Sequence, residues 1–391
     1  MSTNLMAAHN QWRDRPEDER FWGLDDLRTA LMGSRRRSTE VTSRVSNVQA
    51  IVGGDGSSLC LNDGRGTAEL THWSMGQLST YADSPASYLR TLPPELAAAC
   101  INNGLARYHG EDVQFLMERE GDRTTMRAMT TAYSRFWNAD IVRALRPATD
   151  VGWMVPPARP VRDDPRARPA TVADIVPGQD GFGLSVKVGD MIGPAGVYAS
   201  DRDLFVFLVN PTRIVDVDGS DGLMRGVFVW NSEVGAGAFK VQCFYLEAVC
   251  GNHIVWGAKG VQTLRLVHKG NNFQGIGHKL SRELRALTDA DTTAERGMVV
   301  AARRYQLGHD RQTTVEAVHG IKGLGLSQRV IEATYTTAET WEHTAKAAPT
   351  TAWGFAHGLT RHSQTVPFAD ERAKLDAAAG KILQLAYTAK G

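Results

Sequence analysis

The chain has 391 residues, of which 42% are apolar and 22% charged, with a formal net charge of +1. That length supplies a full hydrophobic core for one large domain or two ordinary ones. The balance excludes collagen-like, disordered and disulfide-scaffold chains, and near-neutrality confines any surface for nucleic acid to a local patch. Among the basic residues, 34 are Arg and 10 are Lys. A GC-rich genome produces that bias unaided, although Arg also stacks on bases and forks onto phosphates.

In chain order, residues 1–45 are polar and charge-mixed, include the run Arg35-Arg36-Arg37, and read as a polar arm. Residues 46–150 read as a mostly helical α+β region. Short strands are expected near Asn47–Ile51 and Ser58–Leu61, followed by helix where Leu89, Leu96, Cys100 and Leu105 recur. Gly121-Asp122 separates VQFLMERE from RTTMRAM and predicts a hairpin, with TTAYSRF as further strand. Asn138–Leu145 predicts a short helix with Asn138 as its cap.

Residues 151–180 hold six of the fifteen prolines and read as a linker or long exposed loop. Residues 181–270 are the β-rich core: GFGLSVKVGDMI, DLFVFLVNPTRIVDV, MRGVFVWNSEV and NHIVWGAKG all predict strands. GAFKVQCFYLEAVC reads as a helix, because Phe239, Cys243, Leu246 and Cys250 follow i, i+4, i+7 and i+11; a strand pair is the alternative. Residues 271–391 read as a C-terminal helical region. The expected class is α+β: a curved antiparallel sheet with a helix packed across it, flanked by N-terminal and C-terminal helical regions.

Catalytic signatures are absent from the sequence. It contains no P-loop, no HExxH and no GxSxG, and Gly181-Phe-Gly183 leads into a strand as an ordinary turn does. Cys60, Cys100, Cys243 and Cys250 form no CxxC pair and suit a reducing cytosol. His357 and His362 are five apart on one helix, which points their rings in different directions, and His253 with Cys250 makes only half a zinc site. Asp201, Asp203, Asp216, Asp218 and Glu233 lie in or beside turns, where such groups usually cap backbone. No catalytic residue, metal ligand or cofactor is assigned, and the chain is not read as an enzyme. A magnesium-dependent nuclease using the turn aspartates is a distant third reading. The start has no basic segment followed by an apolar run, and no apolar stretch is long enough to span a membrane, so a cytoplasmic location is expected.

The positive signal is charge beside aromatics. Lys259, Arg265, Lys269, Lys279, Arg282 and Arg285 cluster with Trp256, and Trp230 lies in a nearby strand. On a helix, Lys279, Arg282 and Arg285 share one side. A basic face next to rings suits a single strand, whose backbone follows the charge while its bases stack. The alternative is a solvated helix face with both tryptophans in the core.

The segments TLPPELAAACINNGLAR, EAVCGNHIVWG and TAWGFAHGLTRHSQTVPFADERAKLDAAAGKIL occur in that order. Together they resemble the DUF932 family of phage and plasmid proteins, through Val249-Cys250-Gly251-Asn252 and the run Trp353-Gly354, His357 and Thr360. The chain departs from the family pattern at Gly251, where serine is usual, and at His357, where asparagine is common. The resemblance implies a mobile-element origin and a role in the host cytoplasm. That family is in turn distantly similar to Rad52-like annealing proteins, which bind single-stranded DNA on a β-β-β-α core, usually as rings. The expected function is therefore single-stranded DNA binding and annealing in a phage or plasmid recombination system, as a homo-oligomer. The alternative is a phage structural or host-interaction oligomer that touches no nucleic acid.

Overall fold

The computed structural model describes residues 19–389, apart from 132, 156–158, 161–164, 176–185, 195, 216–222, 248–252, 255–263, 270–274, 346, 364, 367 and 368. The fold is α+β. Helix α1 (Leu24–Arg37) begins with Asp25 and Asp26 and ends with Arg35, Arg36 and Arg37, charges that oppose its dipole at both ends. Leu27 and Leu31 form its one apolar stripe and are buried in the main core. Strand β1 (Ser38–Ser43) then pairs with β5 (Val113–Glu120). Residues 24–43 are thus built into the fold, which corrects the expected polar arm: Leu27 and Leu31, with Leu24 and Met32 packed beside them, dock a charged helix.

Strands β2 (Gln49–Val52), β3 (Leu59–Asn62), β4 (Thr67–Leu70) and β6 (Arg123–Thr130) complete a sheet in the order β1-β5-β6-β4-β3-β2. Its β4–β6 pair is parallel and its other pairs are antiparallel. The β5–β6 hairpin turns at Gly121, whose φ of 60° is left-handed backbone. Helices α2 (His72–Tyr81), α3 (Ala86–Leu89) and α4 (Pro94–Leu105) pack Leu78, Leu89, Ile101 and Leu105 against Phe115 and Met126. The Asn102 amide donates to the Ala50 carbonyl (2.8 Å) and accepts from the Ala50 N–H (2.7 Å), sealing the outer edge of β2 as another strand would.

TTAYSRF does not continue as strand beyond Thr130. Its polar groups are taken by another part of the chain: the Ser134 N–H donates to the His268 carbonyl and the Tyr133 hydroxyl to the Ser232 carbonyl. Helix α5 covers Asn138–Leu145, but Asn138 is not its cap. The Asn138 N–H donates to a Glu233 carboxylate oxygen from a distant turn, and the Asn138 side chain accepts from Asn231.

In the proline-rich region, β7 (Arg159–Pro160) and β8 (Arg168–Pro169) flank β9 (Met191–Gly193). Arg168 pairs with Asp174 at 2.7 Å and lies over the Trp22 ring, so this described part is tied down. Of the strand expected over 181–192, Met191–Gly193 opens β9 and 181–185 lie outside the described residues.

The second sheet is antiparallel: β10 (Val197–Ala199), β11 (Leu204–Val215), β12 (Leu223–Asn231), β13 (Phe239–Glu247) and β14 (His253–Ile254) in order, with β15 (Leu264–Leu266) also on β13. Phe239–Glu247 is therefore a strand, against the helix expected there. Phe239, Val241 and Cys243 are buried while Lys240 is exposed, a period of two that overrides the i, i+4 spacing of the apolar residues. The helix across this sheet is α6 (Ile276–Asp289), whose Leu280, Leu284 and Leu287 share a core with Val227, Val229 and Val241. Arg225 of β12 donates to the carbonyls of Leu287, Thr288 and Ala290, placing a cation at the negative end of α6.

Helices α7 (Thr293–Arg304), α8 (Arg311–His319), α9 (Gln328–Ala345), α10 (Ala352–Ser363) and α11 (Ala369–Thr388) close the fold. Trp353, Gly354, His357 and Thr360 are all buried in α10. Gly358 lies where a Cβ would come within 2.7 Å of the Thr334 carbonyl oxygen, so glycine lets α9 and α10 approach. Burial pulls the His357 imidazole down to about 3, which keeps it neutral. The segment that carries the family resemblance is here a helix-packing element.

Candidate nucleic-acid interface

The second sheet has two unlike faces because its strands alternate. Leu204, Val206, Val227, Val229, Phe239 and Val241 face the helical core that includes α6. On the opposite face, register aligns Phe205 with Trp230 and Trp230 with Lys240; the next row aligns Phe207 with Phe228 and Phe228 with Gln242. The rings lie against one another, with Phe205 and Phe228 stacked at 5.9 Å and Tyr198 and Phe205 at 5.3 Å. Phe205 and Phe228 are nearly buried, whereas Trp230 is half-buried and Lys240 exposed.

A cleft of about 420 Å³ opens on this face. Phe205, Phe228 and Trp230 line it, with Arg202, Lys240 and Lys374 as its cations and Gln242 as a neutral amide. Arg202 comes from the β10–β11 turn, Lys240 from β13 and Lys374 from α11. The Lys240 ammonium lies 5.3 Å from the centroid of the Trp230 ring, and the Arg202 guanidinium 5.1 Å from that of Trp73. Trp230 Nε1 donates to Asp203 at 3.2 Å, and Gly237 lies so close to the ring that a Cβ would meet it at 2.2 Å. The ring is thus fixed in plane. Asp203 also accepts from the Ser200 hydroxyl, so this carboxylate beside the ring is engaged.

The expected site residues divide among several places. Trp230 lies in the cleft, and Arg265 stands opposite Lys240 in the β13–β15 register. Lys279, Arg282 and Arg285 are exposed on α6, on the far side of the sheet from Trp230, and Arg282 pairs with Glu283 at 3.1 Å. Trp230 and these three cations therefore do not form one surface; the alternation of β12 points Trp230 away from the face on which Arg225 reaches the end of α6. Lys269 lines a different cavity, of about 640 Å³, with Tyr133, Ser134 and Gln114. Lys259 and Trp256 lie outside the described residues.

Beside that second cavity, His268 stacks between Tyr133 (4.7 Å) and Phe136 (4.2 Å). Burial pulls its imidazole down to about 4 and pushes the Tyr133 phenol up. Among the turn acids, Glu233 pairs with Arg127, Asp201 accepts from the Trp73 N–H, and Asp216 and Asp218 lie outside the described residues. No group of three or more His, Cys, Asp or Glu that could hold a metal ion occurs among the described residues. No helix among them is long and apolar enough to cross a membrane.

The sequence reading missed Arg202, Lys240 and Lys374. The alternation of Lys240 and Gln242 with Phe239 and Val241 was a usable signal, hidden by the helical reading. Lys374 reaches the cleft only through tertiary packing. No family model matches the chain, and neither a curated protein nor a solved structure matches it.

Proposed function

We propose that the chain is a non-enzymatic single-stranded DNA-binding and annealing protein of a phage or plasmid recombination system, acting in the host cytoplasm as a homo-oligomer. The observation that carries this reading is the aromatic cleft rimmed by cations from three elements: Arg202, Lys240 and Lys374 around Trp230. Rings accept bases of any sequence, and cations follow the backbone. The recombination setting rests on the sequence resemblance alone. The cations of α6 serve, in this reading, as a second stretch of backbone contact.

Binding of a labelled single strand, compared with the matching duplex and without metal, is the direct test. Tight, salt-sensitive preference for the single strand is expected, and mixing complementary strands with the protein should accelerate pairing. Charge reversal at Lys240 and Lys374 should abolish binding, and reversal at Lys279, Arg282 and Arg285 should weaken it less. Loss from the α6 set alone, with binding kept in the cleft set, would return the site to α6.

A second reading is an oligomeric phage structural protein. It draws on Val172, Val188 and Met191, exposed at 78%, 62% and 45% around the small sheet. A defined oligomer by light scattering, with no strand bound, would favour it.

A further inference from the structure

We infer that the cleft on the second sheet takes one unpaired nucleotide, with its base on Trp230 in the place the Lys240 ammonium holds in the free protein. This rests on the single-strand reading and specifies the ligand unit. The cleft has two walls, since Lys374 and Ala377 of α11 face the sheet residues across it. Its volume of about 420 Å³ lies within the range of small-ligand pockets. A continuous stack of bases would need an open sheet face; a walled cleft accepts one base withdrawn from its neighbours.

The two cations on rings have different parts. Lys240 reaches the Trp230 face on a flexible stem, and an exposed cation–π contact is weaker than base stacking on an aromatic ring. The base therefore displaces the ammonium, which swings to the phosphate. Arg202 needs no such movement: lying over Trp73, its planar guanidinium has five N–H donors and can offer some of them to a phosphate oxygen. Lys374 approaches from the opposite wall, and no carboxylate lines the cleft among the described residues. Gln242, beside Phe228, supplies an amide donor and acceptor at the level of the base edge.

The test uses the full chain, a labelled single strand, and three competitors: a deoxynucleoside monophosphate, deoxyribose 5-phosphate and a nucleoside. The monophosphate should displace the strand about tenfold better than deoxyribose phosphate, the lower part of the stacking range. Trp230→Leu should remove that difference, with circular dichroism checking the fold. Lys240→Glu, at an exposed position, should weaken the monophosphate more than the nucleoside. If the strand binds but the monophosphate never displaces it, and both variants bind the strand normally, the cleft is not the site and the single-strand reading survives elsewhere. If the monophosphate binds directly and no strand does, the nucleotide cleft stands and the annealing reading falls. If neither binds, both fall.

Discussion

Glu233, in the turn between β12 and β13, closes a buried ion pair with Arg127 of β6 and so locks the two large sheets together. Its second carboxylate oxygen accepts the Asn138 N–H at the start of α5, and Arg127 also reaches Glu118 at 3.4 Å. The same turn receives Trp73 Nε1 and the Gln77 amide on the Val234 carbonyl. Gly237, which backs Trp230, lies in it too. One turn therefore sets both the junction of the sheets and the back of the cleft.

Removing one partner of a buried pair strands the other charge, at a cost of about 3–5 kcal/mol. Glu233→Ala should lower stability by no more than that amount in denaturant unfolding, because Glu118 still lies 3.4 Å from Arg127. Arg127→Met added to it should recover part of the loss.

Asn102→Leu should cost about 1–3 kcal/mol, because the Ala50 N–H and carbonyl lose their partner at the edge of β2. Amide exchange at Ala50 should accelerate well beyond that of the inner strands.

Gly358→Val places branched carbon where a Cβ alone would already come within 2.6 Å of the Ala338 Cβ. Overpacking of this kind costs about 1–3 kcal/mol or more. The melting temperature should fall, and strand binding by the folded fraction should be unchanged.

Stability should decline as pH falls from about 6.5 to about 4, through His268. Its folded value is depressed, so the unfolded chain takes up the proton first, and each further proton bound there favours unfolding. The full effect, reached below pH 4, is on the order of 3 kcal/mol. His357 extends the same trend to about pH 3. Asp174, held low by Arg168, contributes only once pH falls below its usual 3.8. His268→Gln should reduce the dependence of melting temperature on pH between 6.5 and 4, leaving the part due to His357 and the acid limb below it.

Strand affinity should follow the three cleft cations. Three phosphate contacts on a single strand contribute about −2 to the slope of log affinity against log salt, and contacts on α6 add to it. Lys240→Gln should make that slope shallower by about 0.7. A slope unaffected by this change would mean that Lys240 touches no phosphate.

Much of the fold was legible in local periodicity. The β5–β6 hairpin, the bounds of α5, and the long strands β11 and β12 follow from alternation, turn residues and apolar spacing, which each segment carries within itself. Where two periods coincided, at Phe239 and Cys243, local pattern could not choose between strand and helix. The neighbouring strand β12 decided it by supplying backbone partners along the segment.

Composition by itself restricted binding charge to a patch, and the sequence singled out Trp230 as a candidate ring. It could not say which cations would stand beside that ring. A strand shows its side chains to two faces, and only the helix that packs on one face determines what remains on the other. α6 took the face of Val227 and Val229 and carried Lys279, Arg282 and Arg285 away with it. α11, more than a hundred residues beyond the β12–β13 turn, brought Lys374 to the face of Trp230. Both outcomes depend on long-range packing, so the elements could be read from the chain but the site could be read only from the fold.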